Sequence, residues 1–118
     1  MAEKDRVGRY GEDLVAARLG AAGWTVLDRN WRCAAGELDL VARDGDRLVA
    51  VEVKTRRSQR FGTPAEAVTP AKVARLRRLL ARWLVEHEEH AAEVRVDVVA
   101  VVLHPGAEPV VEHLVGVA

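Results

Sequence analysis

Gly36-Glu37-Leu38-Asp39-Leu40-Val41-Ala42-Arg43-Asp44-Gly45-Asp46-Arg47-Leu48-Val49-Ala50-Val51-Glu52-Val53-Lys54 is the stretch on which the fold turns. Asp-Gly between two apolar-rich runs is a hairpin signal, so Glu37–Arg43 and Arg47–Lys54 read as successive antiparallel strands. Side chains alternate between the faces of a strand, which puts Glu52 and Lys54 on one face and Val49, Val51 and Val53 on the other. Glu37 and Asp39 share a face opposite Leu38 and Leu40 in the same way. A two-residue turn at Asp44-Gly45 pairs Asp39 with Ala50 and Glu37 with Glu52. A two-residue Gly45-Asp46 turn, or a four-residue loop, pairs Asp39 with Glu52. Either register collects the carboxylates on one face and Leu38, Leu40, Val49, Val51 and Val53 on the other, whereas a three-residue loop does not. In the second register the Cβ atoms of Asp39 and Glu52 lie about 5 Å apart.

Carboxylates at that separation repel each other, and an ordinary sheet avoids the pair. A divalent cation reverses the sign: hard oxygen ligands favour magnesium or manganese, with water in the remaining positions. Lys54 on the same face can orient or activate an attacking water, or stabilise charge that builds on a phosphate. Chemically this describes metal-assisted phosphodiester hydrolysis. A Val-Glu-Val-Lys alternation also describes any antiparallel strand with one wet face, and the tetrapeptide alone does not separate the two.

Outward from the hairpin, Val7, Tyr10, Leu14, Ala17 and Ala21 fall at helical spacing, with Gly23 just past the end and Gly8 and Gly11 weakening the first turn. Trp24–Trp31 suits a first strand, and Cys33-Ala34-Ala35-Gly36 a connection. Arg56 to Pro64 reads as a loop. Thr69 suits an N-cap and Pro70 the first helical position of a helix to about Glu88, whose apolar stripe is Val73, Leu76, Leu79, Leu80, Trp83 and Leu84. Val94–Leu103 and Val110–Val117 read as strands flanking His104-Pro105-Gly106. The expected order, α-β-β-β-α-β-β, gives an α/β fold in which a mixed sheet of about five strands is flanked by helices.

At 118 residues the chain is expected to be one domain, 1–118, and its composition (49% hydrophobic, 31% charged) is globular. The net charge of zero excludes bulk charge as an argument for a nucleic-acid partner, so any such case rests on local patches. A single cysteine, Cys33, a charged segment Met1–Arg9 and no apolar run near the roughly 20 residues of a membrane span lead to the expectation of a cytoplasmic protein without membrane association.

The pattern Gly11-Glu12, Gly36-Glu37-Leu38-Asp39-Leu40, Val51-Glu52-Val53-Lys54-Thr55-Arg56, Phe61-Gly62 and Lys72 resembles the YraN-like family of predicted bacterial endonucleases, over about Gly8 to Val102. That family is assigned to the restriction-endonuclease-like superfamily, with its Asp…(Asp/Glu)-x-Lys signature, and Asp39, Glu52 and Lys54 fall on the three signature positions. The resemblance implies a restriction-endonuclease-like core, hydrolysis of DNA with magnesium or manganese on Asp39 and Glu52, and the Val53 carbonyl as a further ligand. Similarity to archaeal Holliday-junction resolvases implies an additional acid from the first helix, matched by Glu12, as well as structure-selective cleavage of branched or flapped DNA and a homodimer. Glu12 also suits the positive end of a helix dipole.

Arg56, Arg57, Arg60 and Lys72 can hold a phosphate backbone or be solvated surface. Glu37 reads as a rim residue. The stripe Arg75, Arg78 and Arg82 reads as the wet face of a helix, and His87 with His90 as a solvated helix end in preference to a metal site. Asp97 is either a polar group on a sheet face or a support for the site. Trp24, Trp31 and Trp83 read as packing, with stacking on a base if exposed. The alternative function is a non-catalytic nucleic-acid- or protein-binding module on a nuclease fold; a non-nuclease scaffold predicts carboxylates that point apart.

Overall fold

The computed structural model of the chain describes residues 3–57 and 68–117. Its elements are α1 (Glu3–Ala21), β1 (Thr25–Cys33), β2 (Gly36–Asp44), β3 (Arg47–Arg56), α2 (Pro70–Glu86), β4 (Glu93–Val102) and β5 (Val110–Leu114). The strands form one sheet in the order β1-β2-β3-β4-β5. Only β3 and β4 run parallel; the other neighbours are antiparallel. This is the expected α/β fold with a mixed sheet, laid out like a restriction-endonuclease-like core. Arg60, Phe61 and Gly62 lie outside the described residues. Among the described residues no helix is long and apolar enough to cross a membrane.

Each face of the sheet carries one helix. On the α1 side, Val15 and Leu19 pack on Leu40, Ala42, Val49, Val51, Val53, Val99 and Val101. On the α2 side, Val73, Leu76, Leu79, Leu80 and Trp83 pack on Leu38, Val41, Leu48, Ala50 and Val96. Leu38 therefore corrects the expected alternation: it joins the α2-side core, away from Leu40. The β2–β3 register ends at Leu40↔Val51, so strict alternation does not carry through the start of β2.

Asp44 pairs with Arg47 across a Gly45-Asp46 turn, with Gly45 at φ +62°. This is the register in which one further step sets Asp39 across from Glu52. Element ends differ from the sequence reading for local reasons. Helix α2 stops at Glu86 because His87 caps it through the Trp83 and Val85 carbonyls and Glu88 turns left-handed at φ +51°. Strand β5 stops at Leu114, where the chain turns back and the Gly116 N–H donates to Asp97 at 2.9 Å.

Asp97 is fully buried and binds Arg95 through both carboxylate oxygens (2.8 and 3.0 Å) and His113 Nε2 (2.8 Å). These contacts tie the end of β5 to β4. Of the two roles open to Asp97, it is a sheet staple, with no contact to Asp39 or Glu52.

Helix α1 starts at Glu3 and runs straight through Gly8 and Gly11. At Gly11 the reason is a close approach: a Cβ there would overlap the Thr55 hydroxyl on β3. The Thr55 Oγ1 is itself buried and makes no hydrogen bond among the described residues. Propensity alone would make Gly11→Ala a gain of up to about 1 kcal/mol. Overpacking reverses the sign, and urea unfolding is expected to show a loss of about 1–3 kcal/mol. Thr55→Ala, which removes the nearest overlapping atom, forfeits no hydrogen bond among the described residues and leaves only the Thr55 Cβ at 2.9 Å, is expected to recover part of that loss in the double variant.

Candidate active site

The hairpin register delivers Asp39 to the point where β2 and β3 stop pairing. There the Val53 N–H donates to Asp39 Oδ2 at 2.9 Å instead of continuing the ladder. Glu52 and Lys54 project from β3 on the α2 face, into an open cleft of about 610 Å³. The opposite wall comes from α2. Its Thr69 N-cap accepts the Lys72 N–H at 3.1 Å, and Pro70 opens the first turn, so Lys72 is aimed from a well-anchored helix start. Lys72 Nζ lies 3.8 Å from Glu52 Oε2, an ion pair too long for a hydrogen bond.

The electrostatics reveal how crowded this arrangement is. Burial first, and then a hydrogen bond and like-charge repulsion from Glu52, push the Asp39 carboxyl from its ordinary 3.8 up to about 7. The Val53 amide and Lys54 oppose the shift and do not cancel it. Lys72 is held below its ordinary value, chiefly by burial and next by the Lys54 side chain beside it, with Glu52 pulling the other way. Glu12 is raised by burial and by the charge of Asp39, while a hydrogen bond from Asn30 and the Arg29 guanidinium draw it back.

Asp39, Glu52, Lys54 and Lys72 are thus brought together, and the carboxylates of the hairpin point toward each other. Glu12 couples to Asp39 but does not line the cleft. Glu37 stands at the cleft rim, paired with Arg32 at 3.0 Å. Arg56 ends β3 on the cleft side and Arg57 follows it, facing the other side of the sheet; Arg60 lies outside the described residues. His87 stacks on Trp83 with ring centroids 4.2 Å apart, and the His90 carbonyl accepts from Arg43. Neither belongs to a metal site among the described residues.

Two residues escaped the sequence reading. Arg75 lines the cleft: it lies over Gly36, where a Cβ would come within 2.7 Å of its Nη2, and donates to the Ala35 carbonyl at 3.0 Å. Asn30, opposite Asp39 in the β1–β2 register, adopts φ +53° and turns its amide to Glu12. Asparagine tolerates that conformation better than most residues, but nothing in the linear sequence marks it.

The donor set fits a hard divalent cation. Two carboxylates forced together hold a proton that a cation would replace, and the Val53 carbonyl is a further oxygen on the same strand. Among the described residues no three His, Cys, Asp or Glu side chains converge tightly enough to encage an ion. A cation here would keep several waters, as magnesium habitually does.

Fold and cleft together define a small α/β protein with a paired-acid, paired-lysine site at one end of a mixed sheet. The chain belongs to the uncharacterised protein family UPF0102, whose profile it matches over residues 11–101. It is 61% identical over 117 residues to a UPF0102 protein of Beutenbergia cavernae, covering 99% of each chain. It is 57% identical over 116 residues to one of Kineococcus radiotolerans (98% and 95% covered) and 55% identical over 120 residues to one of Streptomyces coelicolor (100% and 92% covered).

The raised Asp39 value has a sign for stability. The folded state holds its proton more tightly than the unfolded chain, so the contribution is complete below 3.8 and is lost as pH rises through about 7. In metal-free buffer, the melting temperature of wild type relative to Asp39→Asn is therefore expected to fall between about pH 4 and about pH 7. A difference that stays flat over that range would contradict the pairing.

Proposed function

We propose that the chain is a cytoplasmic, metal-dependent nuclease that hydrolyses phosphodiester bonds in DNA. The observation that carries this is the Asp39–Glu52 pair, two carboxylates held together in a half-buried site beside Lys54 and Lys72. A structural sheet gains nothing from such a pair, whereas a cation site needs it.

Asp39, Glu52 and the Val53 carbonyl would hold the cation. Bound there, magnesium or manganese would polarise a phosphate oxygen and lower the pKa of a coordinated water. Lys54 lies on the same strand face as Glu52, where its side chain can hold a non-bridging phosphate oxygen or orient the attacking water. Lys72 brings a second cation to the first turn of α2, where the helix dipole also favours an anion and the turn itself carries no acid. Glu12 acts behind Asp39 as a positioning acid. Arg56, Arg57, Arg60 and Arg75 supply further phosphate contacts.

With 118 residues and one cleft-bearing sheet end, the chain has little surface for reading base sequence, which favours recognition of DNA structure, branched or flapped. Two copies would suit a substrate with two equivalent strands to cut.

The test is cleavage of labelled linear, flapped and four-way-junction DNA with magnesium or manganese. Wild type is expected to cut only with metal, and Glu52→Ala and Lys54→Ala to lose about a hundredfold or more in rate. Lys72→Ala is expected to raise KM more than it lowers kcat. DNA binding without metal-dependent cutting by wild type would leave the non-catalytic module on a nuclease fold.

A further inference from the structure

Within β1, Asn30 takes a left-handed step at φ +53°, where a regular strand stays extended. Residues two apart on a strand share a face, and across this step they do not. Arg29 reaches Asp13 on α1, whereas Trp31 packs into the core under α2. The partner strand breaks at the matching point. Leu40, opposite Arg29, lies in the α1-side core, and Leu38, opposite Trp31, lies in the α2-side core. Between them, Asp39 faces Asn30 across the ladder.

The β1–β2 ladder runs on past this point to Cys33↔Gly36, while the β2–β3 ladder ends at Leu40↔Val51. The two strands therefore rotate together and part from β3, with Asn30 and Asp39 at the pivot. That rotation leaves the Val53 N–H to Asp39 Oδ2. Packing gives no reason for the step, because β1 is an edge of the sheet and Asn30 is exposed. A left-handed backbone is costly for most side chains, though asparagine tolerates it better than most, and such strain collects where a site needs it. The Asn30 amide also ends on Glu12, the acid behind Asp39.

We propose that Asn30 is a positioning residue for the cation site: its left-handed backbone turns the β1–β2 ribbon so that Asp39 faces Glu52. This rests on the cation-binding part of the nuclease reading, and the effect is measured without cutting.

The experiment is calorimetric titration of manganese into wild type, Asn30→Ala and Asn30→Gly at about pH 8, where protons compete little for the site. Asn30→Gly keeps the left-handed step without strain and is expected to bind within about threefold of wild type. Asn30→Ala drives the residue toward an extended backbone and is expected to weaken binding about tenfold. An ordinary strand position would give the opposite order, since glycine weakens a strand more than alanine does. Asn30 buries no core surface, so both variants are expected to fold, and melting curves check this. Wild-type affinity in Asn30→Ala, or equal losses in the two variants, would overturn the proposal and leave the cation site standing. No manganese binding by wild type would overturn both. The predicted order in a protein that cuts no DNA would uphold the positioning role and tell against the nuclease.

Discussion

Two carboxylates are held against each other where β2 and β3 stop pairing, and much of the chain's design follows from keeping them there. The Val53 amide, which an uninterrupted ladder would use across the sheet, is taken by Asp39 at 2.9 Å. That bond aims the Asp39 side chain at Glu52 and supplies a fixed donor to a group that burial would otherwise neutralise. The opposition remains: desolvation and Glu52 raise the carboxyl to about 7 in spite of that donor and Lys54. A fold selected for stability alone would place an apolar pair here. Local instability of this kind is characteristic of sites arranged to bind or react.

The surrounding elements bring complementary charge to the pair. Gly11 lets α1 approach β3 closely enough that Glu12 senses Asp39. Thr69 and Pro70 start α2 so that Lys72 faces Glu52. The parallel β3–β4 pair, bridged by α2, puts Glu52, Lys54 and Lys72 at one end of the sheet. Away from this end the sheet is braced in ordinary ways, by two apolar layers and by the buried Asp97–Arg95–His113 staple.

The architecture is legible in the sequence because it is written in local signals. Asp44-Gly45-Asp46 marks the hairpin, Thr69-Pro70 the start of α2, and the stripe from Val73 to Trp83 its buried face. The carboxylate pair is legible too, since strand alternation carries the face of Glu52 back across the turn to Asp39. What stayed hidden depends on contacts between distant segments. Arg75 looks like one of three arginines on a wet helix face until the β1–β2 turn comes beneath it at Gly36. Asn30 looks like an ordinary polar strand residue until its left-handed backbone turns it toward Glu12. Leu38 breaks the alternation because the strand leaves its ladder at that point, which no period-two pattern foresees. The role of Asp97 needed β5, whose turn at Gly116 closes the staple.

Proton release on metal binding tests the central claim most directly. Manganese titrated calorimetrically into the protein at pH 6, in buffers of different ionisation enthalpy, reports the protons displaced from the site. With Asp39 raised to about 7, close to one proton is expected per ion at pH 6 and almost none by about pH 9, with both binding and release lost in Asp39→Asn. Manganese binding that releases no proton at pH 6, or that survives Asp39→Asn unchanged, would show that the carboxylate pair is not the cation site.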